Sequence, residues 1–314
     1  MYNLKKIIKH DLSSTSLNTQ VRPPKIKFGY KQLTIKDKII FKGLGLHSGK
    51  KVKMTIHPAS EDTGYQFRVK DGPNSFASVK AIYSNVISTN LSTTIASNNH
   101  KVSTVEHILS ALYALRIDNV NIELERGNEI PIMDGSSSQF IDGIKNSGFR
   151  EQNYFKKALK IKRVVEVKDG DKIARISPHD DTIFTCEVGY DSDIIGNQSI
   201  SIIFNPSIYE SQISKARTFG FLEDIDRLHR NGLALGGSLK NAIVISKNKI
   251  LNKEGLRFSD EFVRHKTLDL IGDLSLAGYY IKGSIYSFHG GHNLNNLLIH
   301  KLFSSEKNYE IVDF

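Results

Sequence analysis

The chain has 314 residues, 39% hydrophobic and 24% charged, with a formal net charge of +10. That length exceeds one minimal core and suits two domains, and the composition is globular rather than disordered. No run approaches the ~18 consecutive apolar residues of a membrane helix. The one cysteine, Cys186, can supply neither an internal disulfide nor a CxxC metal site. A reducing compartment follows, and a metal site must draw on His, Asp or Glu. Cys186 lies in the apolar run TIFTCEV and reads as a buried strand residue.

The basic excess is concentrated at the start. Residues 1–32 hold seven Lys or Arg and one acid, Asp11. This segment has no apolar core of a secretory signal. It reads as a solvated basic extension; its Lys, Ser and few acids are also compatible with an organellar transit peptide or a weak attraction to anionic membrane surfaces. No aromatic-rich basic motif accompanies the charge, so nucleic-acid binding is not indicated.

Ordered structure is expected from about residue 33. LTIKDKIIFKGLGLHSGKKVKMTIHP reads as two strands around a glycine-rich turn, with strand material in YQFRV, ASVKAIYSNV and LSTTIAS. STVEHILSALYALRI has helical spacing, NVNIELE alternates as a half-buried strand does, and EIPIMDGSSSQFIDGIKNSG reads as a turn and a helix ending at Gly148. Residues 149–158 lack strong periodicity and mark the expected boundary between domains 33–150 and 151–314. The second half opens with strands in ALKIKRVVEVKDG, KIARISP, TIFTCEVGY and SISIIF. Helices follow at SIYESQISKA and FLEDIDRLHRNGL, then a strand pair at NAIVISKNKIL. DEFVRHKTLDLIGDLSLAG has the clearest helical pattern of all; the strand GSIYSFHG and the helix HNLNNLLIHKLF close the series. Each half is thus strands followed by about two helices: an α+β fold of two similar domains, each with a mostly antiparallel sheet.

In RHKTLDLIGD, His265 and Asp269 stand at i and i+4 and share a helix face, which Asp273 continues. Such a stripe on an apolar helix is costly to bury unless something binds it, and imidazole with carboxylate at this spacing can grip Zn²⁺. A solvent-facing stripe is the competing reading. In STVEHILSAL, His107 could be a third ligand and Glu106 a general base. The alternative is a capping box, Ser103 with Glu106. His292 stands at the head of the last helix and could serve as a general acid. His47, in the GLHSGK turn, carries less weight.

Taken together, GLGLHSGKKVKMTIHPA (43–59), STVEHILSALYALRIDNVNIE (103–123), EIPIMDGSSSQF (129–140), ISKARTFGF (213–221), GLALGGS (232–238), LRFSDEFVRHKTLDLIGDL (256–274) and GHNLNN (291–296) resemble the UDP-3-O-acyl-N-acetylglucosamine deacetylases of Gram-negative bacteria. The resemblance runs in order from about residue 35 to 303. It implies Zn²⁺, with Fe²⁺ as a plausible substitute, held by His107, His265 and Asp269, and Glu106 as general base. Thr218 and Lys266 match groups near the developing oxyanion, and Asp273 and His292 a carboxylate–imidazole pair with His292 as acid. Substrate binding falls to Phe219, Tyr190 (set against uracil), Lys266 and Gly237, with Leu222, Ile225, Ala234 and Leu239 along an apolar tunnel for the acyl chain. The implied fold packs its helices between two sheets. The implied partner is a UDP-linked acyl-glucosamine, handled by a cytoplasmic monomer that does not insert in the membrane but can touch it, in an early step of lipid A synthesis. His289 departs from the pattern, standing where relatives often carry a lysine near the diphosphate. Two other readings are a zinc peptidase, against which the absence of HExxH counts, and a non-catalytic acyl-nucleotide binding protein.

Overall fold

A computed structural model describes residues 30–247 and 249–314. The expected basic extension therefore lies, up to residue 29, outside the described residues. From Lys31 onward the chain is α+β and mostly antiparallel.

In the first half the hairpin of Ile39–Leu44 and Lys51–Pro58 joins Val120–Arg126, Tyr65–Lys70 and Phe76–Lys80 in a five-stranded sheet. Its strands alternate buried and exposed residues, as in Val120–Arg126, where Val120, Ile122 and Leu124 point into the core. In the second half Tyr280–Phe288 is the central strand. It runs antiparallel to Lys172–Ser177 and parallel to Lys157–Ile161 and Thr182–Gly189. Cys186 is buried in this last strand as expected, and burial raises its thiol to about 11.

Among the described residues six α-helices stand in chain order: α1 (Glu106–Ala114), α2 (Ser138–Ser147), α3 (Pro206–Gln212), α4 (Ile225–Arg230), α5 (Glu261–Ser275) and α6 (His292–Phe303). Every residue of α1 is buried, as are thirteen of the fifteen in α5. Helices covered on all sides belong in the interior rather than on a face. The two pack directly together: Ser110 Oγ donates to the Leu268 carbonyl at 2.9 Å. Their approach needs Gly272, where a Cβ would stand 2.1 Å from the Glu106 carbonyl oxygen. The main apolar cluster runs through both halves, from Ile108 and Leu112 on α1 to Leu268 and Ile271 on α5.

Some elements differ from the sequence reading. The first expected hairpin is three strands, because Lys31–Ile35 is separate and pairs with Phe149–Phe155. The latter falls in the segment without strong periodicity. Only Gln152 of its seven residues is buried, so no alternation marks it. The terminal strand Tyr309–Asp313, which pairs with Lys157–Ile161, was not anticipated. Its side chains are exposed or half-buried; backbone pairing with a distant segment, with Tyr309 and Val312 laid against the core, holds it.

Candidate metal centre and active site

His107 lies in the first turn of α1, and His265 and Asp269 one turn apart on α5. All three are buried, which removes the solvent-face reading of the α5 stripe. Their ligating atoms lie within 4.8 Å of one another. Asp269 Oδ1 is 3.4 Å from His265 Nε2 and 3.6 Å from His107 Nε2. These separations exceed those of good hydrogen bonds. They match two donors around one tetrahedral ion with bonds of ~2.0–2.1 Å, which stand roughly 3.3 Å apart. The two imidazoles meet edge to face, with interplanar angle 85°. Two imidazoles and one carboxylate are also the donor chemistry of a catalytic rather than a structural zinc site.

The surroundings leave these groups in the protonation states that a metal ion would bind. His265 Nδ1 sits 3.1 Å from the Ala216 carbonyl, which fixes the tautomer with Nε2 free for an ion. Burial, aided by His107 and Lys266, lowers His265 to about 4, so its imidazole is neutral. Burial opposes ionisation of Asp269, yet His265, Lys266 and His107 outweigh it and hold this carboxyl well below the usual range. Lys266 Nζ donates to the other carboxylate oxygen, Asp269 Oδ2, at 3.3 Å.

Glu106 precedes His107 and points into the same pocket. The capping-box reading does not hold: Ser103 Oγ donates to the Asn128 carbonyl instead, and Glu106 Oε2 accepts the Thr93 backbone N–H at 3.0 Å. Burial pushes Glu106 up to about 7, partly offset by His292 and His107. His292 opens α6, and its Nδ1 lies 2.8 Å from Asp273 Oδ2. Burial alone would lower this imidazole. Asp273, assisted by Glu106 and Asp269, outweighs it and pushes His292 up to about 9.

Pocket and trio form one concavity of about 350 Å³. Thr218, Phe219, Tyr190, Lys266 and His289 line it, whereas Leu222, Ile225, Ala234, Gly237 and Leu239 lie outside its lining. Leu222 and Leu239 are each 45% exposed. Tyr190 packs edge-on against Phe219, ring centroids 5.8 Å apart.

The chain belongs to the UDP-3-O-acyl N-acetylglycosamine deacetylase family. The family model matches residues 32–304. A UDP-3-O-acyl-N-acetylglucosamine deacetylase of Campylobacter hominis is 46% identical over 282 residues, covering 90% of this chain and 95% of that relative. Proteins of the same name from Helicobacter hepaticus and Wolinella succinogenes are each 44% identical, covering 90% of this chain and 93% of theirs.

Two site residues were missed from sequence. Thr93 bonds both Glu106, through its N–H, and Asp273, through Oγ1 at 2.6 Å. It sits in a stretch read only as strand, and nothing local marks it. Asn295 donates to Asp273 Oδ2 at 2.8 Å. Its i+3 spacing from His292 at a helix start was the available signal.

Proposed function

We propose that this chain hydrolyses the N-acetyl group of UDP-3-O-acyl-N-acetylglucosamine, giving acetate and UDP-3-O-acyl-glucosamine for lipid A. In this reading His107, His265 and Asp269 hold Zn²⁺, with Fe²⁺ a possible substitute. The observation that carries it is the meeting, in one pocket, of a buried His–His–Asp trio, a buried carboxylate at Glu106 and the His292 imidazole backed by Asp273. When bound, a divalent ion supplies Lewis acidity, polarising the amide carbonyl and acidifying water.

The chain's own residues do the rest. Glu106 takes the proton of the attacking water at the oxygen not engaged by Thr93, and burial gives it a basicity suited to neutral pH. Thr218 and Lys266 flank the pocket where negative charge develops, and one such donor is commonly worth ~3 kcal/mol. His292, kept protonated by Asp273, passes its proton to the departing amine. Phe219 and Tyr190 give the sugar nucleotide an aromatic wall, with Tyr190 facing uracil, while Lys266 meets the diphosphate charge. The stretch holding Leu222, Ile225, Ala234, Gly237 and Leu239 takes the acyl chain, each buried CH₂ contributing ~0.8 kcal/mol.

The reading carries with it two domains divided near 149–158, a monomer, a cytoplasmic setting in a Gram-negative cell, and peripheral contact with the inner membrane suited to an amphiphilic substrate. Among the described residues no helix is long and apolar enough to cross a membrane. The test is acetate release from UDP-3-O-acyl-N-acetylglucosamine by the purified protein. Release that stops with a chelator and returns with added zinc supports the reading; no release under metal-replete conditions refutes it.

A further inference from the structure

Residues 216–218 lead into the strand Phe219–Phe221 and lie in no helix or strand themselves. Both neighbours of Arg217 nevertheless meet the site. The Ala216 carbonyl lies 3.1 Å from His265 Nδ1, and Thr218 lines the pocket. With no ladder to fix it, the Ala216 carbonyl keeps its place over His265 only if this segment is anchored to α5.

The anchor is Arg217. It is buried, and so is its partner Glu261 in the first turn of α5. The contact is two-pronged: Arg217 Nε donates to Glu261 Oε1 at 2.9 Å and Nη2 to Oε2 at 3.2 Å. The Arg217 backbone N–H donates to Oε1 as well, at 3.0 Å. The guanidinium also reaches Glu254 Oε1 at 2.9 Å and the Gly255 carbonyl at 2.7 Å. Glu261 and His265 stand at i and i+4, so Arg217 grips α5 one turn before the residue that Ala216 meets. Phe219 adds a contact on the same helix, its ring centroid 5.0 Å from that of Phe262.

A buried ion pair is weak evidence for stability, because desolvation offsets much of its attraction. What a forked Arg–carboxylate contact does supply is fixed geometry. Neither Arg217 nor Glu261 lines the pocket, so their influence on it passes through other residues.

We propose that Arg217, held on Glu261, is a positioning residue: it sets the Ala216 carbonyl against His265 and thereby fixes which ring nitrogen of His265 is free for a metal ion. The proposal rests on the metal-centre reading above. With the fork gone, the Ala216 carbonyl drifts, His265 takes both neutral tautomers, and part of the population presents a protonated Nε2 where a ligand is needed.

The test uses Arg217→Lys, which keeps the charge and loses the fork. Two quantities are measured: the His265 tautomer, by nitrogen NMR of the zinc-free protein at neutral pH, and the zinc Kd, by competition with a chelator. Wild type should show one tautomer, with the proton on Nδ1. The variant should show a mixture, and its zinc Kd should rise by about 10–100-fold. Ile144→Ala, at a buried position of α2, serves as the control: it should lose stability and keep the wild-type Kd. A single tautomer with wild-type Kd in Arg217→Lys, whatever its stability, overturns the proposal, as does an equal loss of zinc affinity in Ile144→Ala. Should Arg217→Lys not fold, Glu261→Gln weakens the fork while keeping an acceptor for the Arg217 N–H, and is read in the same way. Wild type that binds no zinc would sink the metal-centre reading instead, so the two failures are distinct.

Discussion

The Asp273 carboxylate is fixed from three directions: His292 Nδ1 at 2.8 Å, Asn295 Nδ2 at 2.8 Å and Thr93 Oγ1 at 2.6 Å. Thr93 also holds Glu106 through its backbone. One residue therefore ties the group read as base to the pair read as acid, and Glu106 and His292 line one pocket with the His–His–Asp trio.

That arrangement gives the pH profile a specific alkaline limb. His292 is raised to about 9, mainly because Asp273 outweighs the effect of burial. As a general acid it must be protonated, so kcat/KM should fall as pH rises through that region. Asp273→Asn should move the limb to lower pH as well as reduce the rate. A limb that stays in place in that variant assigns it to another group.

The same raised value has a consequence for stability. The folded state holds the His292 proton more tightly than the unfolded chain, whose imidazole titrates near ~6.5. The stabilisation is therefore complete below that pH and fades as pH rises through about 9. The melting temperature of wild type should lose more between these limits than that of His292→Gln. Parallel curves would show that the pair contributes nothing to folding.

Glu106→Gln keeps the shape of the side chain and its contact with Thr93 but removes the base. Metal content should be retained while turnover drops by ~10²–10⁴. A near-normal rate would remove Glu106 from that role.

Gly272→Ala places a methyl where only 2.1 Å separates it from the Glu106 carbonyl oxygen. Overpacking of this kind costs about 1–3 kcal/mol, and here it also displaces the turn that carries Glu106 and His107. Urea unfolding should show the loss, and metal affinity should weaken with it. Wild-type values for both would mean that the helix contact is looser than drawn.

Much of the site was legible because its parts are local. His265, Asp269 and Asp273 share one helix face, so spacing alone aligned them. Glu106 and His107 remained ambiguous from spacing, since Ser103 and Glu106 fit a capping box equally well; only the burial of the helix and the position of Thr93 decide between the readings. The parts that escaped are long-range. Thr93 meets Asp273 across 180 residues, Gly272 matters only because α1 lies against it, and Tyr309–Asp313 is ordered by a partner strand rather than by its own pattern. Local periodicity carries no record of such meetings.

The central claim is that His107, His265 and Asp269 converge on one ion. Metal analysis combined with X-ray absorption on the zinc-loaded protein tests it most directly. The expected result is one equivalent of zinc with only nitrogen and oxygen neighbours at ~2.0–2.1 Å, lost when any one of the three residues is changed to Ala. Full zinc occupancy in those variants, or a sulfur neighbour at the ion, would contradict it.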